Sequence, residues 1–454
     1  MNIFFLNIFA KLISFLSRAL GKGSGTSLPG LAIETKYPKM LAYLVKNFEE
    51  IILISGTNGK TTTRSLLVHI YESNGVSVCT NSGGANLIRG IASSLLANLN
   101  IFLKPDAVVG IFEVEEASLP ILTKYIKANK LILTNVFRDQ LDAYGEIEKT
   151  VDYFSQSLTN LGVKKHTANN ELVKKSKKFN STSALPRELR GFRLLINSED
   201  PRLLELATGF DIEPIGFSLA TLEKPKYEGD EQDVNLKYNL IAENIITKNL
   251  TTSFEVRVNN KIHKVISKLP GQYNVYNILA AFILGYDNFG DRVVESIEDF
   301  EPVFGRGEKI SVGDSEIILF LVKNPAGLNE VLKLLEENYQ DKVLNLAINI
   351  NDNIADGKDV SWLWDVDFEE FKHNQKLEKI YTSGSRGLDI LLRLEYAGFE
   401  VKLENYKSSL SQLLDSMLTE NTKFIVLSTY TATMELRNLI SKKTKIRAIT
   451  SKGN

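Results

Sequence analysis

The sequence is poor in the side chains that form disulfides or bind transition metals. It contains one cysteine and four histidines in 454 residues. These residues are scattered along the chain: Cys79, His69, His166, His263 and His373. A disulfide framework, a zinc ribbon and a Cys/His metal cluster are therefore excluded. The single cysteine fits a reducing, cytoplasmic compartment.

An excess of one charge is also missing, as is any long hydrophobic run. Lys and Arg number 54 against 55 Asp and Glu, so a formal net charge of −1 provides no general attraction to nucleic acid. The apolar residues of the first 23 positions are interrupted by Asn7, Lys11 and Arg18, so no run approaches the roughly 18 residues of a spanning helix. This segment predicts an amphipathic helix docked on the first domain, with contact to a membrane surface as the alternative.

Short apolar strands alternate with helical segments along most of the chain. EIILIS at 50–55 precedes helical spacing over 60–73, and VSVCT, AVVGIFEV and KLILTNV precede helical segments near 86–96, 119–128 and 146–161. This alternation predicts an α/β fold with a mostly parallel sheet. Residues 235–268 form short alternating runs that predict an antiparallel ribbon packed onto the core domain, followed by a helix over 273–287.

Strand and helix patterns resume after Gly305 and predict a second, smaller α/β domain. The apolar runs there are IILFLV, VLNLAIN, KIYTSG, FEVKLE, FIVLST and KIRAIT. The predicted organisation is an N-terminal helix and lead-in at 1–45, a central domain at 46–310 and a C-terminal domain at 311–454. An insert at 164–193 carries nine basic and two acidic residues. A solvated loop is favoured there over a phosphate or lipid-headgroup patch.

A glycine-rich loop, SGTNGKTTT at 55–63, joins the first predicted strand to a predicted helix. Gly56 and Gly59 allow backbone N–H groups to face phosphates, Lys60 can reach the terminal phosphates, and Thr61 can offer its hydroxyl to Mg²⁺. The first glycine of an ordinary P-loop would fall at Ile54, so the loop is a variant. A plain strand-to-helix turn is the structural alternative.

The loop resembles the ATP loop of the Mur ligases and folylpolyglutamate synthases, which activate a carboxylate as an acyl phosphate. Further matches follow in the same order: Glu113 in FEVEEASLP, Asn135 and Asp139 in TNVFRDQLD, Asn197 to Pro201 in NSEDP, Asn274 and Asn277 in GQYNVYN, and Gly305-Arg306. Each alone could be a cap or turn residue. The resemblance implies a Mur ligase-like central domain in which Glu113 and Thr61 hold Mg²⁺. It also implies that Asn277 contacts the adenine and Arg306 approaches the phosphates.

Four longer segments narrow the resemblance. They are TNSGGANLIRGIASSLL, NVFRDQLDAYGE, KNPAGLNEVL and INDNIADGKDVSWLWDVDFE. They are similar to the MurT family, the Mur ligase-like synthetase subunits of lipid II isoglutaminyl synthase, and the similarity runs over nearly the whole chain. It implies ATP-dependent amidation of the D-glutamate α-carboxyl of the lipid II stem peptide to D-isoglutamine, in peptidoglycan biosynthesis. The nucleotide-binding residues implied are Gly56, Thr57, Asn58, Gly59, Lys60, Thr61, Thr62, Asn277 and Arg306; Lys60 and Glu113 are also placed in the catalytic set.

Amidation needs ammonia, and this chain alone is not expected to release ammonia from glutamine. Cys79, the only thiol, stands in VSVCTN with no histidine beside it, so a packing role is favoured over a glutaminase nucleophile. The resemblance implies a heterodimer with a GatD-type glutaminase, whose catalytic triad an aspartate of this chain completes. The matching residue is Asp359 in DGKDVSW; from the residues alone, catalysis and a helix cap before Val360 are about equally favoured.

The expected cofactors are ATP and Mg²⁺, and the expected location is cytoplasmic or peripheral at the inner face of the plasma membrane, where lipid II lies. Zinc is not expected, because LEKPKYEGDEQDVNLKYN occupies the position where many MurT proteins carry a four-cysteine ribbon. Gln140 follows Asp139 where Mur ligases commonly have histidine, so a different Mg²⁺ shell is expected. The alternatives are an amino-acid-adding Mur ligase or a folylpolyglutamate synthase, and a nucleotide-binding scaffold without ligase activity.

Overall fold

The computed structural model describes residues 27–81, 85–100, 104–137, 146–166, 191–220, 236–302, 305–339 and 342–443. Several sequence-based predictions fall outside these ranges: the helix within residues 1–26, most of the basic insert, Asp139 and Gln140, the residues at 221–235 where a zinc ribbon would stand, and the run KIRAIT.

The first sheet has nine strands. They are β1 (Glu50–Ser55), β2 (Val78–Thr80), β3 (Val109–Glu113), β4 (Lys130–Leu133), β5 (Arg193–Asn197), β6 (Ile215–Leu219), β7 (Tyr238–Lys248), β8 (Thr251–Val258) and β9 (Lys261–Ser267). Their order is β2-β3-β1-β4-β5-β6-β7-β8-β9, and the strands from β2 to β7 are parallel. β3 and β4 are buried along their whole length, as expected for parallel strands covered on both faces. The predicted mostly parallel α/β architecture is confirmed.

The antiparallel ribbon is part of this sheet. β7 pairs in parallel with β6, while β8 and β9 continue antiparallel. The predicted antiparallel ribbon is present, and it joins the core domain by extending the first sheet. The open edge of β6 presents backbone N–H and C=O groups that need partners, and β7 satisfies them by extending the sheet.

Helices cover both faces of the first sheet. They are α1 (Ser27–Lys36), α2 (Met40–Leu44), α3 (Lys60–Ser73), α4 (Ile88–Asn98), α5 (Leu119–Thr123), α6 (Glu146–Asn160), α7 (Pro201–Thr208), α8 (Gln272–Phe289) and α9 (Arg292–Asp299). α8 is apolar on nearly all sides and is buried from Asn274 to Gly285, where it packs against α3. This packing fixes the helix that follows the glycine-rich loop.

The second sheet has five strands, and they form the smaller α/β unit. Its strands and helices are β10 (Arg306–Val312), β11 (Ser315–Leu321), α10 (Pro325–Tyr339), β12 (Leu344–Asn349), α11 (Phe368–Asn374), β13 (Leu377–Ser383), α12 (Gly387–Tyr396), α13 (Leu410–Thr419), β14 (Lys423–Ser428) and α14 (Tyr430–Lys443). The order is β10-β11-β14-β12-β13, parallel except for the β10–β11 pair. Because β10 begins at Arg306, this sheet starts inside the range predicted for the central domain.

One predicted strand is wrong. FEVKLE at 399–404 leads into a short 3-10 turn, Leu403–Asn405, and Leu403 is 72% exposed. The side chain of Asn405 accepts from the backbone N–H of Lys402 at 2.7 Å and donates to the carbonyl of Ile380 at 2.8 Å. The Asn405 amide therefore holds one point along the outer edge of β13, beside a single isolated bridge between Thr382 and Tyr406, and this segment forms no strand ladder there.

Within the part of the chain that the structure describes, none of the helices combines the length and hydropathy that a membrane crossing requires.

Candidate active site

The glycine-rich loop lies between β1 and α3, the context expected of a phosphate-binding loop. Gly56 and Gly59 have φ angles of 128° and 88°, which favour glycine. A Cβ at Gly59 would lie 2.1 Å from Oδ1 of Asn277, a residue of α8. The loop and α8 therefore approach more closely than a side chain at Gly59 would allow.

The segment after β4 anchors the backbone of the loop. Thr134 Oγ1 donates to the carbonyl of Asn58 at 2.6 Å, and the Asn135 side chain both donates to that carbonyl and accepts from the Asn58 N–H at 3.1 and 2.8 Å. Thr57 and Phe137 are joined by two hydrogen bonds of 3.0 and 3.1 Å. In the segment after β4, the sequence indicates Asn135 as a site residue but gives no signal for Thr134 or Phe137.

Lys60, the first residue of α3, is buried with its ammonium inside the loop. Its Nζ lies 2.6 Å from both the Gly56 carbonyl and Glu116 Oε1. Burial raises the pKa of Glu116 to about 7, although Lys60 lowers it, and the neighbouring carboxyl of Glu115 adds to the rise. Glu116 is not among the predicted site residues, and its only signal in the sequence is that it is the third acidic residue in FEVEEA.

Glu113 ends β3 and is buried in an ion pair. Its Oε2 accepts from Nε of Arg64 at 3.1 Å, and both side chains are at most 5% exposed. Arg64 lies on α3 and also donates to Thr80 at 3.2 Å. The sequence resemblance predicts Glu113 as a metal ligand, and the pairing with Arg64 is not predicted. The spacing of a β-α unit is the signal that could have placed Arg64 beside Glu113.

Arg306 lies near this ion pair although it belongs to the second sheet. Burial lowers the pKa of its guanidinium, Glu113 opposes this change, and Arg64 adds to it. The remaining predicted loop residues follow in the first turn of α3, where Thr62 is buried and Thr61 half-buried. Three cationic side chains therefore lie close to acidic ones beside the glycine-rich loop: Lys60, Arg64 and Arg306. Such a cluster of positive charge is what a polyphosphate site requires.

The two asparagines of the GQYNVYN segment lie together on α8. Asn277 Nδ2 donates to Asn274 Oδ1 at 3.1 Å, and Thr63 Oγ1 donates to Asn277 Oδ1 at 3.3 Å. Asn274 in turn donates to the carbonyl of Pro270 at 2.7 Å. The pair thus links α8 to the loop helix.

The NSEDP segment has a structural role in this corner. Asp200 caps α7 by accepting from the N–H groups of Arg202 and Leu203, and it accepts from the N–H of Val136 at 2.6 Å. Burial raises the pKa of Asp200 to about 6. The cap therefore fixes the chain just beyond the anchor of the glycine-rich loop.

Asp359 lies in the second unit, in the loop between β12 and the 3-10 turn Ser361–Asp365. Its Oδ1 accepts from the backbone N–H and the hydroxyl of Ser361 at 2.8 and 2.6 Å. Its Oδ2 is buried and has no hydrogen-bond partner within the described residues. One oxygen thus makes the cap-type contact expected of the structural alternative, and the other is left for a further donor.

Three other aspartates of this segment make contacts inside the second unit. Asp352 accepts from Ser385 at 2.7 Å, Asp356 accepts from the N–H and hydroxyl of Thr431 at 2.7 and 2.5 Å, and Asp367 accepts from Asn329 at 2.9 Å. These bonds tie the loop to the carboxyl ends of β13 and β14 and to α10.

Cys79 is buried in β2. Burial raises the pKa of its thiol to about 12, and the thiol lies 3.7 Å from the carbonyl of Ser94. A thiol that stays protonated is a poor nucleophile. The geometry agrees with a packing role.

Two families match separate parts of the chain. The Mur ligase middle domain matches residues 54–183 and the MurT ligase C-terminal family matches residues 321–433. The first range contains the loop and Glu113, and the second contains Asp359.

Two relatives that match most of the chain are named lipid II isoglutaminyl synthase (glutamine-hydrolyzing) subunit MurT. The chain is 30% identical over 421 residues to that of Staphylococcus aureus strain COL, covering 87% of this chain and 88% of the relative. It is 31% identical over 467 residues to that of Streptococcus pneumoniae strain R6, covering 95% and 96%.

Solved structures show the same fold at lower identity. MurF from Acinetobacter baumannii aligns with a TM-score of 0.64 and 16% identity, covering 93% of this chain and 80% of that one. MurF ligase from Thermotoga maritima, in complex with ADP, aligns with a TM-score of 0.60 and 14% identity, covering 89% and 82%. The chain therefore has the Mur ligase fold and belongs to the MurT family.

Proposed function

We propose that this chain is an ATP-dependent carbon–nitrogen ligase that amidates the D-glutamate α-carboxyl of the lipid II stem peptide to D-isoglutamine. The observation that carries the proposal is Lys60, whose ammonium is buried in a glycine-rich loop at the start of α3. The family relatives, named lipid II isoglutaminyl synthase subunits, support the substrate. The reaction belongs to peptidoglycan biosynthesis.

The loop residues are assigned to the nucleotide. Phosphate oxygens accept from the backbone N–H groups of Gly56, Gly59, Thr61 and Thr62, and Lys60 neutralises the terminal phosphates. The N–H groups of Thr57 and Asn58 are held by Asn135, so these two residues shape the loop. Arg306 adds a second positive charge, and Asn277 on α8 contacts the adenine. The carboxylate oxygen of the substrate attacks the γ-phosphorus, ADP leaves, and an acyl phosphate forms.

Ammonia then attacks the acyl carbon, and phosphate leaves from the tetrahedral intermediate as the amide forms. The cations of Lys60 and Arg306 stabilise the negative charge that develops on the oxygens. Preorganisation of these groups by the anchor at Thr134 and Asn135 avoids reorganisation during the reaction.

Two groups near the loop could contribute to a magnesium site, the Glu113 carboxylate at the end of β3 and the Thr61 hydroxyl at the start of α3. The described residues contain no cluster of three or more metal-ligating side chains, so phosphate oxygens and water would have to complete the shell. We assign Glu113 and the Thr61 hydroxyl as ligands. When bound, Mg²⁺ neutralises phosphate charge and orients the γ-phosphoryl group.

The ammonia is proposed to come from a GatD-type glutaminase bound as a heterodimer. Cys79 is buried and protonated, so this chain has no thiolate there to open glutamine. Asp359 is proposed to complete the partner's triad by accepting from its histidine. Its Oδ2 makes no hydrogen bond within the described residues, and docking of the partner would have to uncover this buried oxygen. The proposed place of action is the cytoplasm, peripherally at the inner face of the membrane that carries lipid II.

Mass spectrometry of the product tests the proposal. The chain is incubated with ATP, Mg²⁺, ammonium and lipid II, and the lipid product is weighed. Amidation lowers the mass by about one dalton, whereas an amino-acid-adding ligase raises it by roughly a hundred. No ATP-dependent change in mass would refute ligase activity and leave a nucleotide-binding scaffold.

A further inference from the structure

A buried side chain of the second unit, Asn324, contacts the glycine-rich loop. This residue is fully buried and lies just before α10. Its Nδ2 is 3.1 Å from Oδ1 of Asn58 in the loop, and its Oδ1 is 2.8 Å from the backbone nitrogen of Gly327. One amide therefore joins the start of α10 to the loop of the other unit.

The chemistry of the contacts determines the orientation of both amides. The backbone N–H of Gly327 can only donate, so the atom of Asn324 that faces it is the oxygen. The NH₂ group of Asn324 then points to Asn58 and can only donate, so Asn58 presents its oxygen. Both bonds have normal lengths, and a rotation of the Asn324 amide would place donor against donor at Gly327.

Asn324 is also the helix cap of α10. Asparagine is favoured at the N-cap, where its oxygen accepts from a backbone N–H two or three residues later, and Pro325 at the first helical position fits the fixed φ of proline. The cap explains only one end of the amide. The other end is directed at Asn58, whose backbone is already held by Thr134 and Asn135 of the central unit.

We infer that Asn324 is a positioning residue through which the second unit sets the nucleotide affinity of the glycine-rich loop. Asn58 is the point where the loop is held from both units, by its backbone from one and by its side chain from the other. Fixing the loop in its binding conformation removes an ordering cost that the nucleotide would otherwise meet. The inference rests on the proposed function, because it assigns the loop to a nucleotide.

Asn324→Ser separates the two ends of the amide. Serine is a good N-cap, so its hydroxyl can accept from Gly327, but it is too short to reach Asn58. The expected result is about a tenfold rise in the dissociation constant for Mg·ADP, equivalent to about 1.4 kcal/mol. The measurement is isothermal titration calorimetry on the full chain, with the melting temperature followed by circular dichroism.

Asn329→Ser serves as the matched control. It is the same substitution five residues further along, in α10, but Asn329 bonds to Asp367 inside the second unit. Mg·ADP binding should stay within about twofold of wild type, since Asn329 does not contact the loop.

Asn58→Ala removes the contact from the loop side and serves as the second variant if Asn324→Ser does not fold. The double variant of Asn58→Ala and Asn324→Ser should bind no more weakly than the weaker single variant, because both lose one contact. Wild-type affinity in Asn324→Ser, equal weakening in Asn329→Ser, or additive losses in the double variant would each overturn the inference alone. A wild-type chain that does not bind Mg·ADP would overturn the proposed function as well.

Discussion

Replacing Lys60 by methionine should make the stability of the protein depend on pH through Glu116. Methionine keeps most of the apolar stem but removes the ammonium that lies 2.6 Å from Glu116 Oε1. With Lys60 present, the pKa of Glu116 is raised by burial to about 7. Without it, that pKa rises further, and the buried carboxyl takes up a proton when the chain folds.

The size of the effect follows from linkage. A group whose pKa is raised by folding stabilises the protein at low pH and loses that contribution as pH rises through its folded pKa. In wild type the loss levels off above pH 7, where Glu116 ionises beside Lys60. In Lys60→Met it continues at about 1.4 kcal/mol per pH unit for as long as Glu116 stays protonated. The variant should therefore lose up to about 2 kcal/mol more than wild type at pH 8.5, and almost nothing extra from this source at pH 6.

Urea unfolding followed by circular dichroism at pH 6 and pH 8.5 measures this difference. Glu116→Gln supplies the control background, in which Lys60→Met should have the same effect at both values of pH because the titrating group is gone. An identical free-energy loss at pH 6 and pH 8.5, or a pH dependence that persists in the Glu116→Gln background, would refute the assignment of this pH dependence to Glu116.

Amidation should fall by about 10²–10³-fold in Lys60→Met with either nitrogen source.

Three further variants test other parts of the site. Asp359→Asn keeps the acceptor for Ser361. It should reduce glutamine-driven amidation in the complex by about 10²-fold or more, while ammonium-driven amidation stays within twofold of wild type. An unchanged ratio of the two rates would leave Asp359 as a cap. Asp200→Asn keeps the cap without the charge whose pKa is raised to about 6. Relative to wild type, its unfolding free energy should therefore improve by about 3 kcal/mol from pH 4 to pH 7.5, and a flat difference would contradict that pKa. Gly59→Ala should destabilise the protein by about 1–3 kcal/mol more than Gly75→Ala. Both positions have positive φ, but only Gly59 faces Asn277. Equal melting temperatures of the two variants would contradict the close approach of the loop to α8.

Local sequence patterns were sufficient for the strands and the loop. β1 and α3 have the predicted bounds, 50–55 and 60–73, because an apolar run, two glycines and a helical repeat follow one another directly. The ribbon was predicted from its period of two, but its continuation of the sheet depends on β6 and β7 pairing, which no local pattern records. FEVKLE has a strand-like pattern, but the chain there contacts β13 only through the Asn405 side chain and an isolated bridge at Tyr406, and both depend on distant residues.

The partners of the site residues could not be predicted in the same way. Lys60 meets Glu116, and Glu113 meets Arg64, because β3 lies beside β1 in the sheet. That order is set by packing of the whole central unit and not by either segment. The contact of Asn58 with Asn324 joins positions 266 residues apart and requires both units to be folded.

The position of β10 decides where this protein can be divided for domain exchange with its relatives. A junction at 310/311 would split the strand, so that Glu308 and Ile310 would come from one parent and their partners Leu319 and Ile317 from the other. It would also separate Arg306 from the sheet that supports it. Chimeras joined before Gly305 keep the hairpin of β10 and β11 from one parent and should fold more reliably than those joined after Val312.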